Sequence, residues 1–167
     1  MTFGLKVNKV VINSQDFDDE ILALTPHRPP MLLINQLIAV SAKQSSAIVV
    51  IDNETLFFQN DLGVPSWIGL EYMGQTAALM AGYQENTGLI KPHLGFLISC
   101  RNYHIQQEYF LPASKLLVDA VQKTIVGESL LNFDCTIRDH TTKQLLADAS
   151  LTVFRKAIRQ STDHQNV

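Results

Sequence analysis

The stretch VPSWIGLEYMGQTAALMAGYQ, Val64 to Gln84, constrains the fold more than any other part of the chain. It opens on Pro65 and Ser66 and then runs without another proline. Ser66 is of the type that caps a helix by accepting one of the first unpaired backbone N–H groups. At 3.6 residues per turn the apolar and small residues, from Trp67 and Ile68 to Leu79 and Met80, fall on nearly every face. Such a helix must be wrapped by other elements. At roughly 20 residues it has the length of a bilayer span, but Glu71, Gln75, Gln84 and three glycines argue against one. Glu71 stands as a lone carboxylate in the first two turns, and that placement is the main chemical clue.

The flanking segments supply the wrapping. Ser14 or Asp16 is placed to cap a short helix ending before Pro26, with Phe17, Ile21, Leu22 and Leu24 on its buried side. In LTPHRPPMLLIN, Leu24–Asn35, three prolines stiffen a loop that feeds a strand over Met31–Val40; a second strand follows over Ala47–Asp52. After the helix the chain reads as strands. One runs long from His93 and breaks near Phe110–Pro112, and another covers Lys115–Lys123. Leu131, Phe133, Cys135 and Ile137 alternate with polar residues, as do Ala147, Ala149, Leu151 and Val153. Short connections make these neighbours antiparallel. Two strands before the helix and about four after it predict an α+β, hotdog-type layout: a curled antiparallel sheet of five or six strands around one long buried helix. We expect one domain over residues 1–156, with an N-terminal arm and short helix in 1–23; Val7–Ile12 would be an arm or edge strand. Residues 157–167 form a polar tail expected to be disordered. An open sheet edge and an uncovered helix flank predict dimerisation.

Several function classes are disfavoured. A net charge of −3 offers no basic field for nucleic acid. MTFGLKVNKV lacks the apolar run of a signal peptide, which points to the cytoplasm. Cys100 and Cys135 have no metal spacing and read as reduced thiols. Neither metal-ligand spacings nor phosphate-binding glycine motifs occur, so no metal or cofactor is expected.

LTPHRPPMLLIN together with VPSWIGLEYMGQTAALMAG resembles the 3-hydroxyacyl-acyl-carrier-protein dehydratases of the FabZ/FabA type. In that family a PHRxPFLLVD loop precedes the first strand and PGxxxxEAMAQ opens the central helix. Here Pro65 precedes Glu71 by six residues, and Met73 and Gln75 fall in step. GFLISCRNYHIQQEYFLPASKLLVDAV is similar to the strand pair after the helix, and the resemblance covers roughly residues 24–155. The divergent dehydratases of aryl-polyene biosynthesis clusters are the nearest look-alikes, sharing PHRxPMLL and Pro-x-Trp-x-x-x-Glu. Two departures stand out. The family's GHFP histidine, fourteen positions before the acid, is replaced by Phe57, and no histidine lies between His27 and His93. Ser66 replaces the glycine at the helix start.

Dehydration of a 3-hydroxyacyl thioester needs a base for the α-proton, an acid for the leaving hydroxyl and a donor for the thioester carbonyl. The resemblance implies Glu71 as the acid, in an apolar surround, with Gln75 one turn on to orient it. It also implies the first helix amides, at Ser66 and Trp67, as the carbonyl donor, and Phe57 against the substrate. His27 is the one histidine near a family motif and the candidate substitute base. The alternative is that His27 and Arg28 pin the proline loop or contact a phosphopantetheine phosphate. His93 and His104 read as structural or exposed, and His140 falls in a hairpin turn, DHTTK. Partners would be an acyl carrier protein or another acyl thioester, with Arg28, Lys91 and Arg101 as candidate contacts for an acidic carrier. Two other readings remain: a hotdog thioesterase, and a non-catalytic or half-site subunit of a heterodimer, since in these dimers the two catalytic residues come from different chains. A homodimer is the default.

Overall fold

The computed structural model describes residues 13–158. The expected arm at Val7–Ile12, and all of the expected tail after Ile158 with its His164, lie outside the described residues. In chain order the elements are α1 (Asp19–Leu24), β1 (Gln36–Val40), β2 (Gln44–Val50) and β3 (Val64–Pro65). A 3-10 turn, Ser66–Ile68, runs straight into α2 (Gly69–Asn86). There follow β4 (His93–Ile105), β5 (Tyr109–Phe110), β6 (Lys115–Val126), β7 (Leu130–Asp139) and β8 (Leu145–Ala157). Six strands form one antiparallel sheet in the order β1-β2-β6-β7-β8-β4, while β3 and β5 make a separate two-residue ladder. Two long strands precede α2 and four follow it, the hotdog arrangement expected from the pattern.

Period-2 alternation puts Leu116, Val118 and Ala120 of β6 and Phe133, Cys135 and Ile137 of β7 on one face. There α2 lies on β2, β6 and β7. Met73, Leu79 and Met80 are fully buried against this face, each contributing about 1.5–3 kcal/mol. Ser45 of β2 ties sheet to helix by donating to the Thr76 carbonyl at 2.6 Å. Cys135 sits in this layer, and burial pushes its thiol up to about 12, so it is inert packing. Both cysteines are unpaired.

Three expectations change. Strand pairing begins at Gln36 rather than Met31, because Met31 and Leu33 give backbone groups to the Gln75 side chain instead of to a neighbouring strand. Ser66 does not cap the helix: its hydroxyl donates to the Gln107 carbonyl at 2.6 Å, and Pro65 holds the cap position without a side-chain bond. Third, α2 is wrapped on one side only. Trp67 stands 62% exposed at its start, and the flank bearing Gly74, Ala78 and Ala81 lines an open cavity. Among the described residues no helix is long and apolar enough to cross a membrane.

The sheet ends on β4, a 13-residue edge strand paired only with β8. Leu94, Phe96, Leu97 and Ile98 are all about half exposed along it. On the other flank α1 crosses α2 at Gly82, where a Cβ would sit 1.9 Å from the Leu24 carbonyl oxygen. Alanine is ordinarily the better helix residue, but backbone stands where its methyl would go. Gly82→Ala is therefore expected to destabilise the chain by about 2 kcal/mol or more, read as a lowered denaturation midpoint. The same variant displaces α1 and the loop it leads into.

Candidate active site

The cavity beside α2 has a volume of about 580 Å³. His27, Arg28, Glu71 and Gln75 meet at one end of it, and Gly74 opens its floor, with nothing within 4 Å of where a Cβ would be. Glu71 is in the first turn of α2, with Gln75 one turn later on the same face. Gln75 is 1% exposed, and its amide is fully used. Its Nε2 donates to Glu71 Oε1 at 2.8 Å and to the Met31 carbonyl at 2.7 Å, while its Oε1 accepts from the Leu33 N–H at 2.8 Å. One side chain thus fixes the carboxylate and docks the proline loop onto the helix.

That loop carries His27 to the same place. Its Nε2 lies 3.9 Å from Glu71 Oε1, too far for a direct hydrogen bond but close enough for one substrate atom to touch both. Nδ1 is 2.6 Å from the hydroxyl of buried Thr25. Thr25 escaped the sequence reading, although its place two residues before His27 is a recurrent side-chain turn spacing. Arg28 acts as a loop pin: its guanidinium donates to the carbonyls of Leu22, Thr25 and His27, closing the end of α1. A fully apolar enclosure of Glu71 is absent in the single chain, where its side chain is 43% exposed.

The helix start lies outside this cavity. Ser66 is wholly buried; its N–H donates to the Glu108 carbonyl at 2.9 Å, and its own carbonyl accepts from the Tyr103 hydroxyl. Ser66 therefore has no amide to offer a thioester, a correction to its expected role. No hydrogen bond from the Trp67 N–H is present among the described residues. Phe57 packs on Trp67 with ring centroids 6.3 Å apart. It is 43% exposed and held at a φ of 68°, a strained conformation for a bulky residue. Trp67 stands one helical turn before Glu71.

The remaining histidines separate by environment. His104 and His140 are exposed, the former 3.1 Å from Asp148 and the latter in the β7–β8 turn. His93 is half-buried, its Nδ1 3.0 Å from Glu85 Oε1, at the opposite end of the cavity. Lys91 is on that same side, so it does not converge with Arg28. Among the described residues no cluster of His, Cys, Asp and Glu is arranged to hold a metal ion.

Removing the Gln75 amide leaves two backbone groups and a carboxylate oxygen without partners. Gln75→Leu is expected to cost about 2–4 kcal/mol of stability, measured by chemical denaturation. Gln75→Glu keeps the acceptor for Leu33 but sets two carboxyl groups side by side, and its loss is expected to shrink as the pH falls.

Residues 19–164 match the ApeP-like family, described as ApeP dehydratase. No curated protein sequence matches. Among solved structures, one solved as the dehydratase heterocomplex ApeI:P from Xenorhabdus doucetiae aligns with a TM-score of 0.73 and 22% identity, over 81% of this chain and 90% of that one. The E. coli PaaI protein from the phenylacetic acid degradation operon aligns at 0.57 and 12%, over 72% and 82%. A hypothetical thioesterase with coenzyme A from Streptococcus pneumoniae TIGR4 aligns at 0.58 and 10%, over 75% and 88%. At these identities the structural likenesses speak to the fold, whereas the match over residues 19–164 speaks to the family. With a helix-borne carboxylate and a loop histidine facing one cavity, the chain belongs to the ApeP-like dehydratases.

Proposed function

We propose that the chain dehydrates 3-hydroxyacyl thioesters carried by an acyl carrier protein, in the biosynthesis of a polyene or fatty acyl chain. The observation that carries this reading is the convergence of His27 and Glu71 on one acyl-sized cavity. With Nδ1–H donated to Thr25, His27 Nε2 presents a lone pair and takes the proton from C2. The released electron pair forms the C2=C3 bond as the C3–O bond breaks, and Glu71 gives its proton to the departing hydroxyl, which leaves as water. The proton on His27 then returns to Glu71 across the gap between them. Gln75 keeps the carboxyl aimed throughout, and Arg28 holds the loop in place. The unpaired thiols suit the cytoplasm.

A second reading, the half-site subunit, is favoured by Phe57, which fills the family histidine's place with a side chain that moves no proton. The apolar edge of β4 suits a second dehydratase subunit, which would extend the sheet and cover Glu71, and the ApeI:P likeness is to a heterocomplex. In that assembly the partner would bring the base to Glu71.

The test follows the absorbance of an enoyl thioester on addition of the purified chain, beside Glu71→Gln and His27→Ala. We expect each substitution to lower the rate by about 100-fold or more. Activity that needs Glu71 but not His27 would assign the base elsewhere. Activity appearing only with a co-expressed dehydratase subunit, together with a solution mass equal to the sum of the two chains, would establish the half-site reading.

A further inference from the structure

The outer face of the sheet, turned away from α2, changes character toward one end. Residues paired across antiparallel strands share a face. Thr124, Asn132, Thr152 and Ser99 stand opposite one another on β6, β7, β8 and β4. Hydrogen bonds of 2.8 and 2.9 Å join Asn132 to Thr124 and Thr152 to Asn132, so this row is polar and satisfied. The next row on the same four strands is Val126, Leu130, Phe154 and Phe96. Leu130 is half-buried and the other three are exposed. Exposed Leu94 and Ile158 continue the patch, Leu94 paired with Lys156 and the Ile158 N–H donating to the Pro92 carbonyl at 3.1 Å.

Cations edge this apolar end. Lys156 stands opposite Leu94, and Lys91 is exposed in the loop before β4. Arg155 leans on the β6–β7 turn, where its Nε donates to the Glu128 carbonyl at 2.7 Å. Segments 89–98, 125–130 and 154–158 together hold these three cations and a single carboxylate, Glu128, in a chain of net charge −3. The local charge thus runs against that of the whole.

A second subunit added to β4 would extend the sheet sideways and cover at most the β4 end of the row. Stacking a second copy on this face takes some 20–30 residues from each partner for a stable interface, and the patch supplies six. Apolar side chains edged by lysine and arginine are instead the complement of an anionic lipid surface. There a few aromatic and aliphatic groups enter the headgroup boundary, and each cation adds to the attraction. We propose that this end of the sheet docks the protein peripherally on an anionic membrane surface. Leu94, Arg155 and Ile158 also line the end of the cavity remote from Glu71, so docking sets that end toward the bilayer. The inference stands apart from the dehydratase reading and needs no catalysis to be tested.

Flotation of the full chain with vesicles would compare phosphatidylglycerol mixed into phosphatidylcholine with phosphatidylcholine alone. The expected result is about tenfold or more stronger binding to the anionic vesicles at about 0.1 M salt, weakened at about 0.5 M. Lys156→Glu should lower that binding about fivefold or more. Phe154→Ser combined with Val126→Asn keeps every charge and should lower it about tenfold or more. A denaturation midpoint near that of the parent shows each variant to be folded, and Val126→Asn serves by itself where the double variant is not. No flotation with anionic vesicles, equal flotation with neutral ones, or undiminished binding by the folded apolar variant would overturn the proposal. A solution mass of two chains that falls to one in that variant, without flotation, would give the patch to a second copy instead.

Discussion

A single buried amide holds the working end of this protein together. Gln75 bonds the first strand's lead-in loop through two backbone groups and the Glu71 carboxylate through a third hydrogen bond. Being fully satisfied at 1% exposure, it gains from the low dielectric around it rather than losing. The loop cannot shift without unpairing the amide, nor can Glu71 turn away without leaving a buried donor empty. The geometry between His27 and Glu71 is therefore set by packing and hydrogen bonds that belong to the core.

The rest of the architecture serves that junction. The sheet takes one face of α2 and leaves the flank of glycine and alanine uncovered, so that the helix is both core and cavity wall. The same asymmetry leaves apolar side chains at half exposure on β4, and Phe57 and Trp67 open to solvent. These exposed groups lie on the edge and flank that a second subunit would cover, which is why the enzyme and half-site readings share one structure. The two readings differ in the weight they give Phe57, whose side chain moves no proton.

Much of this was legible in the chain. The all-round apolar helix, the alternation in β7 and β8, and the count of two strands before the helix and four after it follow from periodicity. Gln75 one turn after Glu71 was readable as its partner, because i,i+4 side chains meet on a helix. Other features were not legible, for definite reasons. Ser66 looks like a cap in sequence, yet its hydroxyl and amide are taken by Gln107 and Glu108, more than forty residues away. Arg28 looks like an anion contact until the end of α1 brings three carbonyls to it. His93 and Glu85 are eight residues apart across a turn, a spacing with no motif attached, and only the folded chain brings the His93 N–H to the Glu85 carboxylate.

Sequence alone determined which segments must be helix and strand and which carboxylate stands in the apolar helix, because periodicity and motif spacing are local properties. The tertiary structure decided which polar groups remain free for chemistry. A hydrogen-bonding group is claimed by whatever the fold brings beside it, and that neighbour is usually far away along the chain.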